Sequence, residues 1–346
     1  MNRRDFIELG LAVALVVAAA VAHYAGATAV LAFVVAALAI AMLARIVGGA
    51  TEQLGTRLGS SVAGVVQSAL GNLPELFIAF FALHDGLVEV VQAALVGSVI
   101  ANSVLVLGLA FIVGGAINGT QRFNSPRARM IATLTTLGAT ILAMPTIAHT
   151  FHTPAAAHAR SLSFICAGVL LVLFFLTLPG FLAGGEEHVG APARWTLATT
   201  IVVLASAGIG AAFVSDWFVA ALKPATETLG MSQAFAGLVV VAIAGNAVEN
   251  VVGVQLAARN QPDFAISVIV NSALQVALLL TPVLVFASLF FATSLTLVFP
   301  TLLAIALLVG AAITSLVVYD GESTWEEGAM LAGLYVVIAA SFWWGA

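Results

Sequence analysis

The chain has 346 residues, of which 62% are hydrophobic and 8% charged, with a net charge of −5. A soluble domain is about a quarter charged, so this composition is that of a membrane protein. No basic patch stands out, which argues against nucleic acid as a partner, and the lone Cys166 excludes an internal disulfide.

Apolar runs long enough to cross about 30 Å of hydrocarbon fall at 6–24, 28–47, 60–83, 88–115, 128–148, 161–183, 195–215, 233–257, 264–290, 294–318 and 327–345. They predict an all-α integral membrane protein with about eleven transmembrane helices. Arg3-Arg4 ahead of the first run fits a twin-arginine export signal, with Ala20-Val21-Ala22 as a cleavage site, but it equally fits a cytoplasmic anchor. The many spans that follow favour the anchor. With the amino terminus inside, Arg3, Arg4, Arg45, Arg57, Arg122, Arg127, Arg129, Arg194 and Arg259 sit at inner loops or span ends, and only Arg160 and Lys223 lie outside. That asymmetry predicts a cytoplasmic amino terminus and an outer carboxyl terminus.

An internal repeat organises the chain. Thr51-Glu52-Gln53-Leu54-Gly55 recurs as Thr226-Glu227-Thr228-Leu229-Gly230, and Gly71-Asn72-Leu73-Pro74-Glu75 recurs as Gly245-Asn246-Ala247-Val248-Glu249. Ser98 and Ser272 each stand 23 residues after their glutamate, with Asn102 and Gln275 nearby. The division expected is an extra helix over 1–25, a first five-helix repeat over 26–185 and a second over 186–346. Five spans per repeat is odd, so the two repeats enter the membrane in opposite orientations, as in many secondary transporters.

A carboxylate at bilayer depth is costly and is usually functional. Gly71 and Gly245 allow a span to unwind and its backbone to approach a ligand, and Pro74 removes a further N–H. Freed carbonyls, Glu75, Glu249, Asn72, Asn246, Ser98, Ser272, Asn102 and Gln275 make an all-oxygen donor set, which suits calcium, magnesium, manganese or sodium. Burial and mutual repulsion favour protons on the two glutamates when the site is empty, whereas a divalent cation needs both ionised. Glu75 and Glu249 are therefore the candidates for proton coupling. Glu52 and Glu227 stand at span starts, where a carboxylate is ordinary, and are candidates for gating.

At these residues the sequence resembles the cation/proton exchangers (calcium/proton antiporters) of the calcium/cation antiporter superfamily, whose two signature blocks read Gly-Asn-x-x-Glu. The resemblance takes in Thr51 and Glu52, Gly97-Ser98 to Gly108, Lys223 to Gly237 and Asn271 to Pro282. It implies one extra helix plus two inverted five-helix repeats, and calcium exchanged for protons by alternating access. It also implies Glu75 and Glu249 as principal ligands, with Asn72, Asn246, Ser98, Ser272 and Gln275 lining the site. Asn250 stands where the family usually has histidine, and Asn271 where it usually has glycine. Pro74 is shared with the sodium/calcium exchanger branch, which is the alternative reading. The acidic segment between the halves is reduced to Glu186-Glu187.

Other classes fit less well. No His-Glu-x-x-His or Gly-x-Ser-x-Gly motif supports an enzyme. A passive channel of the same fold would conduct without counter-ion coupling. His149, His152 and His158 read as a solvated outer loop, and Asp320, Glu322, Glu326 and Glu327 as a solvated inner one. No organic cofactor is expected; calcium and protons are the cargo and lipid the surroundings, most naturally a prokaryotic inner membrane. Oligomeric state is left open.

Overall fold

The computed structural model describes residues 2–57, 70–183 and 194–345. Glu186, Glu187 and the start of the expected span 60–83 lie outside the described residues. The described chain is almost entirely helical: α1 (Arg3–Tyr24), α2 (Ala29–Gly55), α3 (Leu73–His84), α4 (Val88–Asn118), α5 (Ser125–Thr150), α6 (Ala159–Ala183), α7 (Leu197–Leu229), α8 (Gln233–Gly245), α9 (Ala247–Ala258), α10 (Pro262–Phe290), α11 (Thr301–Val317) and α12 (Trp325–Ser341). Two short strands, β1 (Gln121–Arg122) and β2 (Glu322–Ser323), pair antiparallel.

Local chemistry sets the ends. Asn2 Oδ1 accepts from the Asp5 amide while Asp5 Oδ2 accepts from the Asn2 amide, a capping box that starts α1. Thr324 and Glu327 repeat the device at α12. Gly230, at φ +65°, ends α7 in the left-handed conformation that glycine adopts without strain.

Among the described residues, seven helices are long and apolar enough to cross a membrane, and the α8–α9 pair, bent by 61°, makes an eighth. The other three expected spans fall on shorter helices, α3, α11 and α12. The tenth also starts later than its hydropathy predicts. Residues 291–300 include no α-helix, and their backbone is held by side chains instead. Gln92 Nε2 donates to the Thr296 and Val298 carbonyls, Ser163 Oγ accepts from the Leu297 amide, and Thr146 Oγ1 accepts from the Phe299 amide. Leu295, Leu297 and Phe299 are buried on alternate positions, so an apolar run that hydropathy counts as helix is extended chain.

The chain packs into two compact units, each drawn from both halves of the sequence. The first comprises Met1–Ala82, Val172–Gly230 and Ala244–Val248. Its core is α2 against α7, with Phe33 stacked on Phe218 at 4.8 Å and Gly210 facing Leu43. Helix α1 lies on both. Trp195 Nε1 donates to Asp5, Glu8 pairs with Arg45 at 2.9 Å, and His23 stacks on Trp217. Phe6, Leu11, Val13 and Val17 of α1 are exposed, so the helix presents apolar side chains outward.

The second unit comprises Leu83–Leu171, Met231–Ile243 and Glu249–Ala346. In it α4 is an inner helix, with every residue from Val90 to Val104 buried. Helices α4 and α8 cross at two glycines: a Cβ on Gly97 would lie 2.6 Å from Leu238 Cα, and one on Gly237 2.9 Å from Ala93 Cβ. Beyond this crossing α4 packs on α12 through Gly108 and Gly328, and α5 packs on α11, where Thr136 Oγ1 donates to the Ala311 carbonyl.

Candidate cation site

Both signature blocks interrupt a helix, and at the same residue type. Asn72 is the turn residue before α3, and Asn246 the turn residue between α8 and α9. The breaks thus fall one residue after the glycines that the sequence marks as weak points. Helix restarts at once in each half, so Glu75 is the third residue of α3 and Glu249 the third of α9. A carboxylate in a first helical turn faces the positive end of the backbone dipole and its spare amides. Pro74 is the second residue of α3, where its missing N–H has no intrahelical partner to lose.

In the first unit the two blocks meet. Gly245 packs against Glu75: a Cβ added to it would lie 3.2 Å from Glu75 Cβ and 3.4 Å from Cγ. The glycine is therefore required for close approach, besides allowing the break. Glu75 is 1% exposed, Asn72 7% and Asn246 0%, so these polar groups are deeply buried together with Gly245. Gly71 is half-buried. Glu52 and Glu227 do not stand at helix starts, as the sequence predicts, but in the last turns of α2 and α7, exposed and each next to a buried threonine, Thr51 and Thr226. They carry no part of this buried cluster.

In the second unit Asn102 Nδ2 donates to Ser272 Oγ at 3.1 Å, joining residues 170 positions apart in sequence. Both are buried, as is Ser98, and Gln275 is half-buried. The side chain of Glu249 lies outside the described residues. The backbone here departs from α-helix at matched places. A π-helical segment, Ala101–Val106, begins three residues after Ser98 and contains Asn102, and another, Val276–Leu280, begins four residues after Ser272 and directly follows Gln275. Such segments widen the helix by one residue and gather at functional sites. The Ser103 carbonyl in the first accepts from Thr314 Oγ1 at 2.9 Å.

Sequence reasoning gave no role to Gly237, to Thr314 or to the π-helical segments. An isolated glycine within an apolar run is a signal of close packing. The other two carry no periodic signal, because they depend on partners far away in the chain.

A glutamate just after a break in a membrane helix, repeated once per half and buried at Glu75, marks an ion-transport protein. The chain matches the family described as sodium/calcium exchanger protein over residues 28–182 and 199–344, and it belongs to that family. It is 34% identical to the Ca2+/H+ antiporter ChaA of Bacillus subtilis (strain 168), over 99% of this chain and 99% of that protein. It is 32% identical to a Ca2+/H+ antiporter of Aphanothece halophytica, over 90% and 89% of the two chains. The structure described as native YfkE superposes with a TM-score of 0.85 at 31% identity, covering 97% of this chain and 99% of that one. The protein is thus an integral membrane protein of a transporter family.

Proposed function

We propose that this protein is a secondary antiporter that exchanges calcium for protons by alternating access. The observation that carries this reading is the duplicated break: two Gly-Asn-x-x-Glu blocks, each restarting a helix with its glutamate in the first turn, the glycine of one packed on the glutamate of the other. Relatives that cover nearly the whole chain and are named as calcium/proton antiporters support the choice of cargo.

Glu75 and Glu249 are the principal cation ligands, with Asn72, Asn246, Ser98, Asn102, Ser272, Gln275 and the backbone at Gly71 and Gly245 supplying neutral oxygens. Oxygen-only donors match a hard cation such as calcium. Protons and the cation compete for the same two carboxylates, so loading one expels the other. Coupling follows when only loaded forms reorient. Glu52 and Glu227, exposed at helix ends, are assigned to gating. The halves 26–185 and 186–346 form inverted repeats behind the helix of residues 1–25. The host is a prokaryotic inner membrane, with the amino terminus in the cytoplasm. Sodium/calcium exchange is the second reading, favoured by Pro74 and by the description of the matched family.

Calcium flux into proteoliposomes, driven by either an imposed proton or an imposed sodium gradient, tests this. The expected outcome is proton-driven flux that is lost in Glu75→Gln and in Glu249→Gln. Flux with sodium alone moves the protein to the second reading, and wild-type exchange by either variant refutes the paired-carboxylate site.

A further inference from the structure

We infer that Gln121, in the loop between α4 and α5, is a positioning residue for Glu249, acting through the far end of helix α9. The inference rests on the reading of Glu249 as a cation ligand.

Helix α9 is short, 12 residues, and carries Glu249 at its start. Its other end closes in a Schellman motif: the Gln261 amide donates to the Leu256 carbonyl at 3.0 Å and the Asn260 amide to the Ala257 carbonyl at 3.0 Å. The pivot of that motif is a left-handed residue, usually glycine, and here it is Asn260 at φ +57°. Gln121 compensates. Its side-chain amide, 2% exposed at the residue level, donates to Asn260 Oδ1 at 2.9 Å and to the Ala257 carbonyl at 3.0 Å. Asn118 Nδ2 adds contacts to the Ala257 and Ala258 carbonyls at 3.2 and 3.3 Å.

The grip is itself anchored. Gln121 and Arg122 pair with Ser323 and Glu322 across the two strands, Arg122 Nε meets Glu322 Oε1 at 3.0 Å, and the Asn124 amide donates to Asp263 at the start of α10. A fixed loop thus holds the tail of the helix whose head bears the carboxylate. From Ala257 back to Glu249 is about 12 Å along the axis at 1.5 Å per residue. Gln121 therefore acts through the helix and is not a ligand itself.

The repeat supplies an internal comparison. Helix α3, which carries Glu75, ends at Gly86 with φ +75°, whose amide donates to the Leu83 carbonyl at 3.1 Å. Glycine adopts this conformation unaided. The position 174 residues after Gln121, its counterpart in the second half, is Leu295, which has no amide to offer. The amide grip thus occurs in the half where asparagine stands at the pivot.

The test is the calcium KM of proton-driven uptake by the full chain in proteoliposomes. Outer residues that orient ligands typically change metal affinity by about tenfold or more, so Gln121→Leu is expected to raise KM about tenfold with its maximal rate largely retained. Adding Asn260→Gly should recover part of the loss, since glycine needs no support at the pivot. An unchanged KM in folded Gln121→Leu overturns the inference, as does an effect confined to melting temperature. Should Gln121→Leu not fold, Asn118→Ala, at an exposed position, decides: a raised KM supports the grip and a wild-type KM overturns it. Glu249→Gln separates the two levels. Its exchange at the wild-type rate defeats the underlying reading, whereas its inactivity beside a wild-type KM in Gln121→Leu defeats only the role of Gln121.

Discussion

Gly245 shows how little room the proposed cation site leaves. Its backbone lies against Glu75, and the 3.2 Å to which a new methyl would approach Glu75 Cβ is tighter than ordinary van der Waals contact. Overpacking of this kind costs about 1–3 kcal/mol, and about 1.4 kcal/mol is tenfold in affinity. Gly245→Ala is therefore expected to weaken calcium binding by about tenfold or more while leaving the protein folded. Isothermal calorimetry in detergent measures it, and an affinity within twofold of wild type would contradict the close approach. At Ser272, replacement by alanine removes the acceptor of the Asn102 amide in a buried setting. A lost buried hydrogen bond of this sort costs about 1–3 kcal/mol, so a lower melting temperature is expected from Ser272→Ala and a smaller change from Ser272→Thr, which keeps the hydroxyl. The sequence named nearly all of these residues, because a glycine, an amide and a carboxylate at fixed spacing in an apolar run have few structural explanations. It did not foretell that Gly245 of one block serves Glu75 of the other.

Helices were legible where they are long and uniformly apolar, since a run of about 20 such residues has one way to satisfy its backbone in lipid. Departures from that rule were not. Residues 291–300 are as apolar as a span, yet their backbone bonds to Gln92, Thr146 and Ser163, three residues whose proximity leaves no mark in hydropathy. The crossing of α4 and α8 is of the same kind. Gly97 meets the Leu238 backbone so closely that a Cβ there would stand 2.5 Å from its carbonyl oxygen, a clash that backbone cannot yield to cheaply. Gly168, in α6, has nothing within 4 Å of such a Cβ. Gly97→Ala is thus expected to destabilise by about 1–3 kcal/mol or more, while Gly168→Ala should be neutral or stabilise by up to about 1 kcal/mol through helix propensity. Thermal melting followed by tryptophan fluorescence compares the two, and equal melting temperatures would show that the helices do not cross at Gly97.

At the level of the whole molecule, the repeat in the sequence and the units in space are different divisions. Thr226 to Gly230 repeats Thr51 to Gly55, yet both segments belong to the same compact unit, and each unit takes chain from both halves. Sequence similarity records duplication, whereas packing records which apolar faces met afterwards, so the second cannot be deduced from the first. What the sequence does constrain across the whole chain is the parity of its crossings. Nine of eleven basic residues share one side only if α3 crosses and if the bent α8–α9 pair counts as one crossing. No basic residue follows Arg259, so the crossings of α11 and α12, with 17 residues each, are instead what a second repeat of five spans requires. A 17-residue helix spans about 25 Å, short of the roughly 30 Å hydrocarbon core but within the range that thinning and snorkelling accommodate. The count is then odd and the termini lie on opposite faces. Reporter fusions read this directly. Green fluorescent protein should fluoresce when inserted at 119–120 between α4 and α5, and alkaline phosphatase should be active when inserted at 153–154 or joined to the carboxyl terminus. Fluorescence from a carboxyl-terminal fusion would make the number of crossings even, and would remove the odd repeat on which opposite orientation of the two halves depends.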